Sequence, residues 1–381
     1  MKILVFGAGQ LAQMMYLAAA PLGVDVYAVD VNSREVLNPM SKEKLDMSIE
    51  YAISDVDAVT AEFEHVPEDL LLLAEKSEKL LPNMNAILTG ADRVREKQVF
   101  ESNAIANCPH MVINDLSQLD ASIQALGARI IFKASRDGYD GYGQWRLLSG
   151  DEKPKLIQAF ASLDLKRVPL VAEKMLSFER EISIIGARDA KGNTTYFDVA
   201  ENLHHEGQLH VSVAPATHLA QSTINKAHEI FDRIATALNY VGVLAVEMFQ
   251  MGDSLIVNEI APRVHNSGHW TQKGADTCQF EQHIRAVLGF PLGATTSSGV
   301  TAMINVIGCT SFSRDIISIE GCHLHWYGKE LRVKRKMGHI NVVAENYASL
   351  GEKLLQLLAY LPEEYFPLLR GEAKRLSALD A

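Results

Sequence analysis

Two glutamates in the second half of the chain have a spacing that suits metal binding. Glu247 lies six residues before Asp253, the centre of a turn-forming cluster, and Glu259 lies six residues after it. An antiparallel hairpin centred there would pair the two side chains on one face, with Cβ atoms about 5 Å apart. Their flanking residues are strongly apolar, which argues against two solvated side chains. Paired carboxylates repel each other unless a cation lies between them, so the hairpin predicts a site for Mg²⁺, with Mn²⁺ as an alternative and with Asn258 joining if the strand bulges.

A lysine followed by a glycine-rich loop is the second candidate site. Lys133 ends an apolar strand, and the loop 138–144 follows it. Three glycines in this loop free its backbone to fold over a phosphate. By itself the segment is more typical of a flexible hairpin with a solvated lysine. Beside a predicted metal site it favours the phosphates of a nucleotide.

The segment directly after the glutamate hairpin concentrates groups that bind small oxyanions. It holds a fixed cation, two imidazoles and two small polar side chains, at Arg263, His265, Asn266, Ser267 and His269. Arginine binds a carboxylate or phosphate through two parallel N–H donors. A second basic stretch, residues 329–336, is the kind of charge run that usually faces solvent, but its place in an acidic protein favours a binding role.

A glycine pattern near the start forms the fourth candidate. Residues 7–12 match G-x-G-x-x-G/A between a predicted strand and a predicted helix, and Asp30 ends the next strand. Glycine lets the backbone approach an anion, and the free N–H groups of a helix N-terminus bind phosphate. The pattern predicts either a phosphate site, with a dinucleotide as one form of it, or a tight turn without a ligand.

The order of predicted elements must bring these groups together. Strand and helix alternate over residues 1–96, which predicts a parallel sheet covered on both faces. The strands there are predicted at 2–6, 24–29 and 57–60, and the helices at 10–20 and 67–79. Beyond them, strands are predicted at 128–132, 168–174, 181–187, 300–307 and 339–343, and helices at 92–102, 224–238 and from about 348.

Composition excludes several classes of function. The chain has 381 residues, of which 48% are hydrophobic and 22% charged, as in a folded protein of two or three domains. Its net charge of −11 argues against a general nucleic-acid binder, and no window is apolar enough for a membrane span. The four scattered cysteines are typical of core residues in a reduced, cytoplasmic protein.

These residues resemble the ATP-grasp superfamily, and within it the 5-(carboxyamino)imidazole ribonucleotide synthases of purine biosynthesis. The matching motifs occupy residues 7–11, 60–64, 138–144, 202–204, 261–269, 325–329 and 338–341. They run through nearly the whole chain, and the stretch 261–274 is highly specific. The resemblance implies an α/β protein with an ATP-grasp domain at 97–288, whose lid subdomain spans about 122–187. A Rossmann-like parallel-sheet domain at 1–96 would precede it, and a small, mostly β C-terminal domain at 289–381 would follow.

The family joins ATP, bicarbonate and 5-aminoimidazole ribonucleotide (AIR) into the carboxyamino product, ADP and phosphate, by way of carboxyphosphate. The resemblance therefore implies an ATP-dependent carbon–nitrogen ligase with AIR and bicarbonate as its substrates. It further implies a cytoplasmic homodimer that binds neither nucleic acid nor a membrane.

The resemblance also implies roles for single residues. The ATP phosphates would be bound by Arg93, Lys133, Gly138, Tyr139, Asp140, Gly141, Tyr142, Gly143 and Gln144. The adenosine would be held by Glu173, Lys174, Leu176 and Glu181, with His204 nearby, and the metal by Glu247, Glu259 and Asn258. AIR would be contacted by Gly9, Gln10, Leu11, Tyr139, Asp140, His265, Asn266, Ser267, Lys329, Arg332 and Arg335, and Arg263 would anchor bicarbonate.

The lid departs from the family pattern at two places. Tyr142 stands where relatives usually carry a basic residue, and Arg136 with Asp137 stands where they often carry Thr-Gly. We expect Arg136 to supply the cation that Tyr142 does not. Either Asp140 or His265 would accept the proton of the amine, and either carboxyphosphate or CO₂ released from it would be attacked.

Three other functions are compatible with parts of the sequence. Residues 7–12 with Asp30 would suit an NAD-dependent oxidoreductase. A nucleotide-binding module without turnover and another ATP-grasp carboxylase or ligase are the remaining alternatives. The first leaves the glutamate hairpin and the segment 263–269 without a role.

Overall fold

The N-terminal part of the chain is a small parallel sheet with helices around it. In the computed structural model, which describes residues 1–136, 138 and 143–379, its strands are β1 (Lys2–Phe6), β2 (Asp25–Asp30), β3 (Glu35–Leu37) and β4 (Ala58–Ala61). They lie in the order β3-β2-β1-β4, with β3 antiparallel to its neighbour. The helices are α1 (Gln10–Ala19), α2 (Ile49–Asp55), α3 (Glu68–Glu75) and α4 (Met84–Ala91). The predicted parallel sheet is confirmed, whereas β3, α2 and α4 have no counterpart in the sequence prediction.

A second, antiparallel sheet carries the glycine-rich loop. After α5 (Arg93–Ser102), its elements are β5 (His110–Ile113), α6 (Leu119–Leu126), β6 (Ile130–Ala134), β7 (Gln144–Leu147), α7 (Lys153–Phe160) and β8 (Leu170–Lys174). The strand order is β5-β8-β6-β7. Hairpin β6–β7 pairs Lys133 with Gln144, so the loop between them begins and ends at the same edge of the sheet. This sheet runs from His110 to Lys174 and overlaps the segment 122–187 predicted as the lid subdomain, whose bounds stay a prediction.

The large sheet holds the glutamate hairpin. Its strands are β9 (Arg180–Arg188), β10 (Thr194–Tyr196), β11 (Ala200–His205), β12 (Gln208–Ala214), β13 (Gly242–Met251), β14 (Ser254–Ala261), β15 (Val300–Ile307), β16 (Cys322–Trp326) and β17 (Lys336–Ala344). They run in the order β14-β13-β9-β11-β12-β15-β17-β16, with β10 paired to β9. Strand β12 pairs with β15, so the C-terminal strands extend the large sheet rather than forming a separate one.

The remaining helices cover the large sheet and join it to the N-terminal sheet. They are α8 (Gln221–Ala237), α9 (Thr271–Gly274), α10 (Gln279–Val287), α11 (Tyr347–Leu357) and α12 (Leu369–Ser377). Helix α10 packs on both sheets, and its His283 Nε2 lies 2.8 Å from Thr60 Oγ1 of β4. One hydrophobic core therefore runs from β1 to β13 and α10.

Two expectations from composition can be compared with this fold. Within residues 1–136, 138 and 143–379, none of the helices has the length and apolar character to cross a membrane. The four cysteines are unpaired, and Cys108, Cys309 and Cys322 are buried in the core, as predicted.

Candidate active site

A cavity of about 710 Å³ lies where the three sheets meet. Its described lining includes Gln10, Leu11, Glu62, Arg93, Lys133, Arg136, Gly138, Gln144, Glu181, His204, Glu247, Phe249, Asn258, Glu259, Arg263, His265, Asn266, Tyr327 and Lys336. The predicted site residues that are described but do not line it are Gly9, Gly143, Glu173, Lys174, Leu176, Ser267, Lys329, Arg332 and Arg335. Four more predicted residues, Tyr139, Asp140, Gly141 and Tyr142, lie outside the described residues.

The hairpin pairs Glu247 with Glu259, which confirms the predicted pairing. The position of the turn differs from the prediction. Met251 pairs with Ser254, so the turn is centred half a residue before Asp253. Regular pairing from that turn would place Asn258 opposite Glu247. A β-bulge makes Asn258 an extra residue in β14, so Glu259 takes the opposite position instead. The sequence analysis expected Asn258 to join the site only if the strand bulges, and the bulge is present. Glu247, Asn258 and Glu259 all line the cavity.

The two carboxylates differ in how far their charge is balanced. Glu259 Oε2 lies 2.9 Å from Arg93 Nη1. Burial raises the pKa of Glu259, but the charges of Arg93 and Lys133 outweigh burial, so the pKa is lowered overall. Burial, and then the charge of Glu259, raise the pKa of Glu247 to about 7. Glu247 Oε1 lies 3.6 Å from His265 Nδ1. An excess of negative charge therefore remains at Glu247, beside the oxygens of Asn258 and Glu259, and this donor set suits a hard divalent cation.

A buried row of charges holds Lys133 at the cavity wall. The Glu173 carboxylate lies 2.6 Å from Lys133 Nζ and 2.7 Å from Lys97 Nζ. Burial raises the pKa of Glu173, but the two lysines outweigh it and lower that pKa to about 2. Lys133 Nζ also donates to Asn258 Oδ1 at 3.2 Å. The carboxylate of Glu173, predicted to hold adenine, is thus engaged with lysines in this structure.

Lys97 is a site residue that the sequence analysis missed. Its side chain is 2% exposed, although it lies in α5, whose many charged residues are typical of a solvated helix. Arg93, one turn earlier on α5, lines the cavity and contacts Glu259. The 3.6-residue repeat of a helix places residues 93 and 97 on one face, and that spacing is the signal that could have identified the second residue.

The described ends of the glycine-rich loop lie at the cavity. Gly138 and Gln144 line it, on either side of the residues that are not described. Arg136, predicted to supply the lid's cation, lines it as well, and its Nε lies 2.8 Å from Asp92 Oδ2. Asp92 also caps α5, because its side chain accepts from Val94 N. Arg136 is therefore anchored to the start of the helix that carries Arg93.

The predicted ribose and nucleotide residues Glu181 and His204 lie side by side on the wall. Glu181 Oε2 is 2.9 Å from His204 Nδ1. Burial lowers the pKa of His204, but Glu181 outweighs it and raises that pKa above its ordinary value. Phe249, which the sequence analysis did not identify, lines the cavity beside them and stacks on Phe178 at 4.4 Å between ring centroids. An apolar platform next to a carboxylate and an imidazole suits a nucleoside.

Arg263 is fixed from two sides. Its Nε lies 2.8 Å from Glu64 Oε1, at the end of the motif 60–64, and its Nη1 donates to Val264 O at 3.1 Å. The guanidinium thus reaches the cavity as a cation of set orientation, which suits a small carboxylate such as bicarbonate. Glu64 is a second residue without a predicted role, although the motif that contains it was recognised.

Two residues of the next segment, His265 and Asn266, line the cavity, and Ser267 supports His265 from behind. Ser267 is fully buried, and its Oγ lies 2.9 Å from His265 Nδ1. Burial, and then the charge of Arg263, lower the pKa of His265 well below its ordinary value, so the imidazole is neutral. Asn266 Oδ1 is buried in the cavity wall without a hydrogen-bond partner among the described residues. An unsatisfied buried oxygen of this kind indicates a place for a ligand's donor group.

The N-terminus of α1 corrects one interpretation of the glycine pattern. The N–H groups of Gly9 and Ala12, predicted to bind phosphate, both donate to the Glu62 carboxylate, the second at 2.9 Å. A Cβ at Gly7 or Gly9 would overlap the side chain of Glu62. The site binds an anion, as predicted, but in this structure the anion is the protein's own carboxylate, so the phosphate interpretation is not supported. Gln10 and Leu11 do line the cavity.

The C-terminal basic stretch reaches the cavity at one end. Lys336 lines it and belongs to the stretch 329–336 predicted to have a binding role, although single roles were predicted only for Lys329, Arg332 and Arg335. Arg332 is ion-paired to the exposed Glu330 at 2.9 Å, and Arg335 donates to Glu330 O at 3.1 Å. Lys329 Nζ lies 5.7 Å from the ring centroid of Tyr327, which is a cavity residue.

Three family models match the chain one after another. Residues 1–90 match the ribonucleotide synthetase preATP-grasp domain, and residues 98–280 match the ATP-grasp domain. Residues 301–353 match the phosphoribosylaminoimidazole carboxylase C-terminal domain. This order confirms the predicted fold class.

Relatives of known family match the chain over nearly its whole length. An N5-carboxyaminoimidazole ribonucleotide synthase of Vibrio cholerae is 45% identical over 379 residues, which is 99% of this chain and 100% of the relative. The chain belongs to the N5-carboxyaminoimidazole ribonucleotide synthase family. The solved synthetase of Thermus thermophilus has a TM-score of 0.85 at 35% identity, and the match covers 95% of this chain and 99% of that one. The Aspergillus clavatus synthase in complex with ADP and AIR has a TM-score of 0.82 at 28% identity, covering 94% of this chain and 97% of that one.

Membership in the N5-carboxyaminoimidazole ribonucleotide synthase family confirms the resemblance derived from the motifs, the names being two forms for one compound. It also confirms the prediction of an ATP-dependent ligase with an ATP-grasp domain. The alternative of an NAD-dependent oxidoreductase is wrong. Its two supports fail separately, because Glu62 takes the N–H groups of α1 and because Asp30 is absent from the described cavity lining.

Proposed function

We propose that this protein carboxylates the amine of AIR, with ATP and bicarbonate as co-substrates, and releases N5-carboxyaminoimidazole ribonucleotide, ADP and phosphate. One observation carries the proposal: a single cavity holds a carboxylate pair with a cationic side for a triphosphate and a fixed arginine for a small carboxylate. Such a combination matches a reaction that must bring a nucleotide phosphate next to bicarbonate.

The triphosphate is placed beside Lys133 and Arg93. Both cations line the cavity. Lys133 contacts Asn258, and Arg93 contacts Glu259. Phosphoryl transfer depends on positioning and on neutralising charge more than on covalent help from the protein. Mg²⁺ would be held by Glu247, Glu259 and Asn258, and when bound it would neutralise phosphate charge. The pairing of Glu247 with Glu259 supports this assignment, because after burial the charge of Glu259 is the next cause that raises the pKa of Glu247.

Bicarbonate is a poor electrophile, so it must be activated. One of its oxygens attacks the γ-phosphorus, the bond from phosphorus to ADP breaks, and carboxyphosphate forms. The AIR amine then attacks the carbon of carboxyphosphate, or of CO₂ released from it, and phosphate leaves with the oxygen that came from bicarbonate. Arg263 holds the carboxylate of the reacting carbon, because Glu64 fixes its guanidinium in the cavity.

The amine loses one proton in this step. His265 lines the cavity and is one candidate acceptor, although burial and the charge of Arg263 lower its pKa and so weaken it as a base. Asp140, the other predicted acceptor, lies outside the described residues. Asn266 Oδ1, the buried oxygen without a partner among the described residues, supplies an acceptor for a donor group of AIR.

A homodimer and a cytoplasmic location, both implied by the resemblance, stay predictions.

A phosphate-release assay tests the proposal. With ATP, Mg²⁺ and controlled bicarbonate, phosphate release should rise strongly on addition of AIR, and ¹³C from bicarbonate should appear in the carbamate product. Lys133→Met should abolish turnover, whereas Lys155→Met, which removes an exposed lysine of α7, should leave it unchanged. Phosphate release that is indifferent to AIR, or a product without ¹³C, would remove the proposal.

A further inference from the structure

A line of hydrogen bonds leads from the cavity wall into the C-terminal strands. Tyr327 lines the cavity, and its Oη lies 2.6 Å from His339 Nδ1. His339 Nε2 lies 2.8 Å from Gln272 Oε1, on the short helix α9. His339 is completely buried and Tyr327 nearly so. Neither His339 nor Gln272 is among the described residues that line the cavity.

The partners fix the direction of each proton. A neutral imidazole carries one proton, and a carbonyl oxygen only accepts. Because Gln272 Oε1 faces His339 Nε2, that nitrogen must donate and Nδ1 must accept from the Tyr327 hydroxyl. Burial, and then the neighbouring imidazoles, lower the pKa of His339 well below its ordinary value and keep the ring neutral. The hydroxyl of Tyr327 is thus tied to His339 behind the cavity wall, and this contact fixes the place of the Tyr327 ring.

Packing holds the His339 ring in one orientation. It stacks on His325 with ring centroids 4.5 Å apart and an interplanar angle of 8°. The ring of His269 lies 4.8 Å away, and its own Nδ1 contacts Gln279 at 2.9 Å. Rotation of His339 would break both of its hydrogen bonds inside a region without water access, so the Tyr327 ring has a fixed place.

The Tyr327 ring contacts Lys329, which is one of the residues predicted to bind AIR. Lys329 Nζ lies 5.7 Å from its centroid, within the range of a cation–π contact. Lys329 also lowers the pKa of Glu62 by its charge, although burial, the larger effect, raises that pKa overall. The position of the ring therefore influences where the ammonium stands between the C-terminal strands and the cavity.

We propose that His339 and Gln272 are positioning residues for the AIR pocket. Through Tyr327 they fix an aromatic platform at the cavity wall, beside which AIR and Lys329 are placed. This inference rests on the proposed function, because it assigns this wall of the cavity to AIR and leaves the ATP side to Lys133 and Glu259.

Steady-state kinetics of Tyr327→Phe and Gln272→Met test the inference. Phe keeps the ring and loses the hydroxyl, and Met keeps the length of Gln272 and loses the acceptor. Loss of one such hydrogen bond should raise KM for AIR about 3- to 10-fold. KM for ATP should stay unchanged in both variants. Tyr347→Phe is the matched control, since it also removes a tyrosine hydroxyl. That hydroxyl donates to Pro215 O at a distance of 3.0 Å, and Tyr347 is not among the described residues that line the cavity.

The outcomes separate the two claims. An unchanged KM for AIR in both variants, or an equal rise in KM for ATP, overturns the positioning role while the wild-type activity stands. If Tyr347→Phe raises KM for AIR as much as Tyr327→Phe does, the effect is structural and the inference is likewise overturned. A wild-type protein without AIR-dependent turnover removes the proposed function, and the inference with it.

Discussion

Glu247 and Glu259 lie opposite each other across the β13–β14 hairpin because one extra residue, Asn258, bulges out of β14. Regular pairing from the turn would place Asn258 opposite Glu247 and would take Glu259 out of that position. The bulge therefore combines a charge pair with a carboxamide that also accepts from Lys133.

Removing the charge of Glu247 should uncouple the protein from its metal. Glu247→Gln keeps the shape of the side chain, and it breaks no arginine contact, in contrast to a change at Glu259. Because metal neutralisation of phosphate charge contributes several kcal/mol, kcat should fall about 10²-fold or more. Half-saturating Mg²⁺ should rise in the same assay, and Mn²⁺ titration followed by electron paramagnetic resonance should show weaker binding. Normal Mn²⁺ affinity in this variant would contradict the metal assignment.

The effect of Mg²⁺ on thermal stability should depend on pH. The folded-state pKa of Glu247 is raised to about 7, so this group contributes stability that is complete below its unfolded pKa and is lost as pH rises through about 7. Mg²⁺ binds the ionised form, and it should therefore raise Tm more at about pH 8 than at about pH 6.

Glu96→Gln provides the control for that measurement. Burial raises the pKa of Glu96 to about 7 as well, so Glu96 titrates over the same range. If Glu247 is responsible, the difference between the two pH values should persist in Glu96→Gln. A difference that vanishes there would assign the effect to Glu96, and equal Tm shifts in the wild type would contradict the prediction outright.

Lys97 should matter for stability although it does not line the described cavity. Lys97→Met takes one of two cations from the buried Glu173 carboxylate, which keeps Lys133 at 2.6 Å, so it should cost about 1.5–3 kcal/mol in the free energy of unfolding. Urea denaturation measures this, with Lys155→Met as an exposed control within about 0.5 kcal/mol of the wild type. A cost no greater than that of the control would show that Glu173 needs only Lys133.

Gly9 should be required because of Glu62. The backbone of Gly9 has φ −91°, which alanine tolerates, but a Cβ would overlap the Glu62 carboxylate. Gly9→Ala should therefore destabilise the protein by about 1–3 kcal/mol in the wild-type background and by much less in Glu62→Ala. Chemical denaturation of the four proteins of this cycle gives the coupling. Equal costs in both backgrounds, with a raised KM for AIR, would instead indicate a glycine that approaches a ligand.

The glycine pattern also shows how far sequence reasoning reaches. Glycines before a helix predict an anion at its N-terminus, and that physics holds. The anion comes from Glu62, more than fifty residues away, and no local pattern marks that contact. Lys97 was missed for the same reason, since a charged helix is interpreted as solvated until its contact with Glu173 of β8, more than seventy residues away, is known.

The hairpin was predicted correctly because strand pairing follows from a turn and an alternating pattern. Its turn is centred between Gly252 and Asp253 rather than on Asp253, and the bulge at Asn258 compensates for that error. A bulge depends on the neighbouring strands and has no sequence pattern of its own here. The pairing of β12 with β15 was likewise beyond prediction, because the two strands are separated by more than eighty residues.

The fate of bicarbonate oxygen tests the central claim most directly. If ATP phosphorylates bicarbonate in this cavity, ¹⁸O-labelled bicarbonate must transfer one labelled oxygen to the phosphate released, whether AIR attacks carboxyphosphate or CO₂ derived from it. ³¹P nuclear magnetic resonance of the products should show one ¹⁸O per phosphate in the presence of ATP, Mg²⁺ and AIR. Unlabelled phosphate, released at the same rate as the carboxylated product, would contradict the account.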